Sequence, residues 1–276
     1  MIWRASLDLN YTRERGRTVS RFKHDGPLRV LKTLYPEPGG IAHNILVHPP
    51  GGLVGGDHLS MQVTVGSGAH ALISTPGATR FYRSEAGTAT QTVYARLENE
   101  ARLEWLPQET IAYNGCNGIN SACFDLAPNA ELMAWDVTAL GLPCSNQAFE
   151  QGRMAQNLEI GGAWFERGTI DAQDHLLMNS PLGLAGQRCM GVLVFACGAP
   201  IHVQRLEDAL ACSRDLIDQS PLKALAGATQ PHAQVIVVRV LNPVAEPVVQ
   251  LLRQIWAVWR LCLWGVPGVL PRIWNV

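Results

Sequence analysis

Apolar and polar residues alternate along much of the chain with the period of a β-strand. In residues 59–65 every second residue is apolar, which is typical of a strand with one buried face. Residues 41–48 and 234–241 are longer apolar runs of the kind found in fully buried strands. Clusters of glycine and proline interrupt these runs at residues 36–40, 49–52, 55–56 and 76–77. The pattern predicts a mainly β protein.

A weak internal repeat relates residues 68–73, 100–105 and 129–135. Each copy begins with a small or polar turn and continues into a short apolar strand, and the leading alanines are 32 and 29 residues apart. Repeats of this length can stack so that each one buries its neighbour's face. We therefore predict stacked, layered β-sheets, for which a β-helical winding of the strands is one form. A sandwich whose turns resemble one another by chance is the alternative.

Helices are predicted only towards the C-terminus. Residues 205–218 place apolar side chains near one helical face, and so do residues 247–263. The second helix is apolar over an unusually wide arc, so it must be buried within its own protein or against a partner. No break in composition marks a linker, and we predict a single domain over residues 1–276.

Composition and charge narrow the class of protein. Hydrophobic residues make up 47% of the 276 residues and charged residues only 16%, against about 25% charged in an average soluble domain. Such a chain is not disordered, and its apolar surface suggests cover by a partner. The net charge of −1 provides no global field to attract nucleic acid or an anionic membrane.

Seven cysteines, an odd number without a Cys-x-x-Cys spacing, favour reduced thiols in a cytoplasmic protein. The N-terminus lacks the apolar run of a signal peptide. The most apolar stretch, residues 248–270, is interrupted by Gln250, Arg253, Gln254 and Arg260. A membrane span needs roughly 20 apolar residues with few charges, so we expect neither export nor membrane insertion.

The densest unusual segment is residues 48–57, with four glycines and two prolines. It suits either an anion cradle of backbone N–H groups or a shaped turn between strands. It lacks the Gly-Lys-Ser/Thr of a P-loop, and the turn is the preferred interpretation. His43, His48 and Asp57 offer ligands for a metal-dependent hydrolase, which is the alternative function. However, residues five apart point to opposite faces of an ideal strand, so His43 and His48 would need a bulge to chelate one ion.

Other catalytic constellations are weak. No serine lies in a Gly-x-Ser-x-Gly elbow. Cys116 lies in a segment that we interpret as a loop, and it would be a nucleophile only with a histidine beside it in space. Glu104 and Glu109 are residues of the kind that serve as general acid and general base, but a solvated turn explains the presence of two glutamates here equally well. The sequence therefore predicts a protein that is not an enzyme.

Several segments, taken in order, resemble the successive signature blocks of the urease accessory protein UreD (UreH) family. They are residues 26–32, 34–37, 43, 48–52, 54–57, 75–79, 82–83, 103–111, 135–136, 139–143, 239–241 and 271–274. The resemblance covers roughly residues 26–276, and long blocks in a fixed order are specific. Arg80 stands where the family more often has lysine, and the first 25 residues match weakly.

The resemblance implies a β-rich, non-catalytic scaffold in urease maturation. Members of the family bind UreF, and through it the GTPase UreG, on apo-urease. Nickel is thought to pass through the interior of UreD, so Ni²⁺ is expected as a transient passenger and no tightly bound cofactor is expected. The wide apolar helix then has UreF as its candidate partner, with Trp256, Trp259 and Leu252 as contact residues.

A nickel passage needs oxygen or nitrogen ligands that bind weakly enough to release the ion. Asp136 in the Trp-Asp block is the first candidate, with a capped turn as the alternative role of its carboxylate. Glu166 is the second, with an ion pair to an arginine as its alternative. Asp57 is the third, and its carboxylate would otherwise hold the N–H groups of the glycine-rich segment.

Overall fold

The computed structural model describes residues 3–275, in which β-strands form two sheets and helices cover one of them. The strands are β1 (Arg4–Glu14), β2 (Arg17–Asp25), β3 (Arg29–Leu34), β4 (Ala42–Val47), β5 (His58–Val65), β6 (His70–Ser74), β7 (Thr79–Phe81), β8 (Ala89–Leu97), β9 (Arg102–Leu106), β10 (Thr110–Ala112), β11 (Cys116–Leu126), β12 (Glu131–Leu140), β13 (Gly152–Ile160), β14 (Trp164–Asp171), β15 (Cys189–Cys197), β16 (Ala226–His232) and β17 (Val235–Asn242). The helices are α1 (His175–Asn179), α2 (Val203–Gln219) and α3 (Ala245–Trp264), with 3-10 turns at Pro143–Ser145 and Arg272–Asn275.

The prediction of a mainly β fold with helices towards the C-terminus is confirmed. The helices predicted at residues 205–218 and 247–263 are α2 and α3, each slightly longer than expected, while the short α1 was not predicted. The single predicted domain includes Met1, Ile2 and Val276, which lie outside the described residues. Across residues 3–275, none of the helices combines the length and apolar character needed to cross a membrane.

The strands form a seven-stranded sheet A and a ten-stranded sheet B. Sheet A has the order β14-β13-β11-β8-β5-β1-β2. Sheet B has the order β16-β17-β15-β12-β9-β6-β4-β3, with β10 and β7 attached beside β12. In each sheet the middle strands run parallel, because the chain crosses from one sheet to the other between successive strands.

Because the chain passes alternately through the two sheets, it winds as a β-solenoid. The internal repeat in the sequence corresponds to successive turns of this solenoid. Its copies are the corners that lead from β5 to β6, from β8 to β9 and from β11 to β12. Ala69, Ala101 and Ala130 are fully buried at these corners. The carbonyl of Ala69 accepts a hydrogen bond from Arg102 N at 2.9 Å, and that of Ala101 accepts one from Glu131 N at 2.9 Å. A small residue is needed because successive corners stack directly on one another, so the predicted β-helical winding is confirmed.

Two apolar cores follow from this layering. The first lies between the sheets, where the alternating strand β5 contributes Leu59, Met61, Val63 and Val65. The second lies between sheet B and the helices α2 and α3. Sheet B is therefore covered on both faces, which explains why β17 is almost continuously apolar.

Candidate functional site

A cavity of about 210 Å³ lies between the two sheets, and we call it the Asp136 cavity. Sheet A lines it with residues of β8, β11, β13 and β14, and sheet B with residues of β9, β12 and β15. Leu177 of α1 and the nearby Leu184 contribute apolar side chains. The cavity interrupts the packing between the sheets, and such a gap is where a protein can place a ligand or a passage.

Asp136 is held in this cavity by polar side chains. It lies on β12, whose other residues are all buried. Its carboxylate accepts hydrogen bonds from Asn120 Nδ2 at 2.7 Å and Gln156 Nε2 at 3.0 Å, both on sheet A, and from Thr138 Oγ1 at 3.0 Å. The capped turn considered for Asp136 is wrong, because the residue lies within a strand. Its carboxylate bridges the two sheets.

Burial raises the pKa of Asp136 from its ordinary 3.8 to about 6, the hydrogen bond from Thr138 opposes the rise, and the negative charge of Glu166 adds to it. A carboxyl group whose pKa is raised in the folded state stabilises the fold below its unfolded pKa and loses that contribution as pH rises through the folded pKa. At neutral pH the group is a poorly solvated carboxylate. A cation entering the cavity would offset the free-energy cost of its desolvation.

We expect the free energy of unfolding of the wild type to fall by about 3 kcal/mol relative to Asp136→Asn between pH 4 and pH 7. Most of the loss should occur between the ordinary pKa and about 6, since the unfolded carboxyl ionises first. Urea unfolding of both proteins across this pH range measures the difference, and other titrating groups cancel in it. Parallel stability curves for the two proteins would contradict the assignment.

Glu166 lies on β14 where the Asp136 cavity reaches the surface. Its carboxylate pairs with Arg239 at 2.5 Å, and both side chains are partly exposed, at 34% and 49%. The ion pair considered as the alternative role of Glu166 is therefore present. An exposed pair of this kind contributes about 0–1 kcal/mol to stability, so the carboxylate can exchange its partner at little cost.

A second cavity of about 190 Å³, the His48 cavity, lies next to the first between the same sheets. The two share four lining residues, Thr79, Gln91, Trp105 and Pro107. Burial lowers the pKa of His48, while the negative charge of Asp57 opposes the shift. The imidazole is therefore neutral at neutral pH and keeps a nitrogen lone pair for a metal ion.

The glycine-rich segment shapes one wall of the His48 cavity through Gly51 and Gly52. Asp57 closes this segment: one oxygen accepts from Trp3 N at 2.9 Å and the other from Val54 N at 3.0 Å. The carboxylate is buried and holds backbone N–H groups, which is the alternative considered for it. Asp57 lines neither cavity, so the cavities do not support its selection as a nickel ligand, which stays a prediction.

Valine in place of Gly55 or Gly56 is expected to destabilise the fold. A Cβ atom on Gly55 would lie 2.0 Å from Ser84 Oγ and 2.1 Å from Ala86 O, while Gly56 has a φ of +91°. We expect a loss of about 1–3 kcal/mol from either variant, by steric overlap in the first and backbone strain in the second. Thermal unfolding measures both, with Gly227→Val as the control because a Cβ there meets open space. Unchanged melting of both variants would contradict a shaped turn.

The alternative hydrolase site is not assembled. His43 Nε2 lies 2.6 Å from Glu37 Oε1 in the second core, whereas His48 faces the cavity between the sheets and Asp57 binds backbone N–H groups. In the part of the chain that the structure describes, no three His, Cys, Asp or Glu side chains converge as a metal site. Cys116 begins strand β11 and is not in a loop, and burial raises its pKa to about 11, which keeps the thiol protonated at neutral pH.

Comparison with known proteins decides the family. The model of the family described as "UreD urease accessory protein" matches residues 4–275. The chain belongs to this family. The protein named urease accessory protein UreD in Paracidovorax citrulli is 56% identical over 276 residues, covering 100% of both chains. Proteins of the same name are 54% identical in Variovorax paradoxus, over 99% of both chains, and 52% identical in Polaromonas naphthalenivorans, over 100% of both.

Within this UreD family member, the expected partner surface on α3 requires a correction. Trp256, Trp259 and Leu252 are fully buried, and they pack against sheet B and α2 of their own chain. The wide apolar arc of α3 is covered by the protein itself, so these residues are not available to UreF. Exposed apolar side chains lie elsewhere, for example Leu176 at 80% and Leu182 at 100% near the Asp136 cavity.

The sequence analysis also missed a buried charge network beneath α3. Arg260 makes two 3.0 Å contacts with the Glu37 carboxylate, and its Nε lies 3.3 Å from Glu104 Oε2. His70 Nε2 and Trp256 Nε1 complete the surroundings of Glu104 at 2.7 and 2.6 Å. Glu104 is 0% exposed, so its interpretation as part of a solvated turn is wrong. Two charges inside apolar runs, Glu104 in β9 and Arg260 in α3, were the available signal, because such residues are rarely buried unpaired.

The network centres on one guanidinium that lies between two carboxylates. Burial by itself would raise the pKa of Glu37, but hydrogen bonds from His43 and Arg260 hold it below its ordinary value. The network lies in the second core and borders neither of the two cavities between the sheets. The network therefore holds α3 against sheet B and lies apart from the Asp136 cavity and the His48 cavity.

Proposed function

We propose that this chain is a non-catalytic scaffold of urease maturation that passes nickel through its interior. Membership of the UreD family supports the role in urease maturation. In this proposal the chain binds apo-urease and UreF in the cytoplasm, and the GTPase UreG joins through UreF. GTP hydrolysis is then the work of UreG, and nickel is cargo that the chain does not retain.

The observation that carries the proposal is the pair of adjoining cavities between the sheets. Together they extend from His48 to Asp136 and Glu166, with four shared residues between them. Each has room for an ion with several water molecules, since one water occupies about 30 Å³ in the liquid. An internal route of this kind keeps the ion away from competing ligands in solution.

The metal-binding groups along this route suit the transfer of nickel better than its storage. Within residues 3–275, the polar groups that line the two cavities include imidazole, carboxylate, amide and hydroxyl groups and no thiol. The thioethers of Met61 and Met190 and the guanidinium groups of Arg80 and Arg167 also belong to the lining. Thiolates hold soft metals tightly, whereas oxygen ligands and a single imidazole release Ni²⁺ more readily. Among the residues that the structure describes, no cationic side chain pairs with the Asp136 carboxylate, which is therefore the strongest anchor in the interior.

The test is reconstitution with the full-length chain. Apo-urease, UreF, UreG and GTP are incubated at limiting nickel with and without this chain, and urease activity and gel-filtration profiles are recorded. We expect co-elution with UreF and apo-urease, and a strong dependence of activation on the chain. Equal activation without the chain would overturn the proposal. Co-elution without any effect on activation would overturn the nickel passage and leave only a structural scaffold.

A further inference from the structure

Two thiols meet at the outer surface where α2 packs on α3. Cys212 Sγ of α2 and Cys262 Sγ of α3 lie 4.0 Å apart. The Cys262 residue is exposed and Cys212 is partly exposed, whereas Cys116, Cys189 and Cys197 are buried. This pair lies outside both cavities and outside the charge network, so the proposed function leaves it unused.

We propose that Cys212 and Cys262 form a reversible disulfide that pins α2 to α3 under mildly oxidising conditions. A disulfide needs the sulfurs to approach to about 2.05 Å. The two sulfurs lie 4.0 Å apart, and in this proposal rotation about the side-chain torsions with a small adjustment of the two helices closes the remaining distance. Solvent access lets a small oxidant reach the pair.

The two thiols differ in reactivity. A hydrogen bond from Cys262 lowers the pKa of Cys212, and backbone N–H groups at Cys212 and Ser213 also favour its thiolate. The hydrogen bond to Cys212 and burial raise the pKa of Cys262, and the negative charge of Asp208 adds to the effect. Asp215 opposes ionisation of Cys212. With Cys212 as the attacking thiolate, Cys262 is the resolving thiol, and the reverse order of attack gives the same bond.

The oxidant in this proposal is a low-molecular-weight disulfide such as glutathione disulfide. The Cys212 thiolate attacks one sulfur of glutathione disulfide, which forms a mixed disulfide and releases one glutathione thiolate. Cys262 then loses its proton and attacks the Cys212 sulfur, which releases the second glutathione. The two protein thiols lose two electrons and two protons, and glutathione disulfide gains them as two glutathione molecules.

The bond would strengthen the helical cover of sheet B. It joins residues 50 positions apart in sequence, and closing a loop of this length in the unfolded chain stabilises the native state. The two helices make up the outer layer over the second core, and α3 supplies Arg260 to the charge network. Oxidation would therefore protect this layer from local opening, and reduction would restore its mobility.

The experiment incubates the full-length chain with glutathione disulfide or with a reductant, each with a metal chelator present. Unreacted thiols are then alkylated under denaturing conditions and counted by intact mass. We expect the oxidised wild type to retain five of its seven thiols, and peptide mapping to join the peptides that contain Cys212 and Cys262. The oxidised form should also melt about 5 °C or more above the reduced form.

Single-cysteine variants distinguish this bond from unspecific oxidation. Cys212→Ser and Cys262→Ser should each lose the cross-linked peptide and the gain in melting temperature. Cys144→Ser, which removes an exposed thiol outside the pair, should keep both. The proposal is overturned if the wild type carries separate glutathione adducts with no cross-linked peptide, or if Cys144→Ser abolishes the cross-link.

Discussion

Replacing Arg260 by methionine is expected to lower the free energy of unfolding by about 3–5 kcal/mol. The guanidinium is fully buried and contacts both Glu37 and Glu104, so its loss leaves two buried carboxylates without their shared arginine, with only His43 and His70 beside them. Methionine keeps much of the apolar volume, and the expected loss is therefore mainly electrostatic. Urea or thermal unfolding of the purified chain measures it.

The fold provides a matched control seven residues earlier on α3. Arg253 also bonds across the helix face, but to neutral oxygens: Gln108 Oε1 at 3.2 Å and Trp274 O at 3.4 Å. Arg253→Met should cost only about 1 kcal/mol, because no buried carboxylate loses its partner. Adding Glu37→Gln and Glu104→Gln to Arg260→Met should recover part of the lost stability. Equal effects of the two arginine variants would show that the network is not electrostatically important.

The double variant Asp136→Ala, Glu166→Ala is expected to slow nickel loading of urease about tenfold at limiting nickel, the factor that corresponds to ~1.4 kcal/mol. Each single variant should have a smaller effect, because water can replace one oxygen ligand where the route is wet. An ion that enters the interior loses water, and these two carboxylates are the anionic groups that line the Asp136 cavity. Activation of apo-urease over a nickel titration measures the effect, and excess nickel should reduce it.

A second carboxylate on β14 controls for charge and position. Asp171 pairs with Arg153 at 2.8 Å much as Glu166 pairs with Arg239, but it lies outside both cavities. Asp171→Ala should activate urease like the wild type. Gel filtration must show that all variants still bind the accessory proteins. Full activation by the double variant would remove Asp136 and Glu166 from the route, whereas loss of the complex would assign the carboxylates a structural role.

The solenoid was predictable because its determinants are local. A strand with one buried face requires alternation, as in residues 59–65, and a stacked corner requires a small residue at Ala69, Ala101 and Ala130. Both requirements act on neighbouring positions, so they appear as short-range patterns. The helix α3 was predicted for the same reason, from the spacing of its apolar residues.

The site was predictable only in part. The Trp-Asp block that resembles the UreD family selected Asp136, and the need for oxygen ligands in a nickel passage selected Glu166. The structure places both at one cavity. The neighbouring His48 cavity and its shared wall combine residues of β7, β8 and β9 with the segment after β9, and no pattern within one strand indicates such a meeting. Asp57 also lies in one of these blocks, at residues 54–57, yet its carboxylate binds the backbone N–H groups of Trp3 and Val54.

By itself, the sequence determined the family, the mainly β architecture, the repeat and the positions of the two long helices, since these depend on spacing along the chain. Only the tertiary structure decided what covers α3 and where the buried charges go. Arg260 and Glu37 are 223 residues apart, and Trp256 and Glu104 are 152 apart. A charged residue within an apolar run, or an apolar helix face, indicates that the side chains need a packing or hydrogen-bonding partner. The sequence alone does not identify that partner. The partner is decided when the layers pack, because desolvation makes every buried polar group find a counterpart in space.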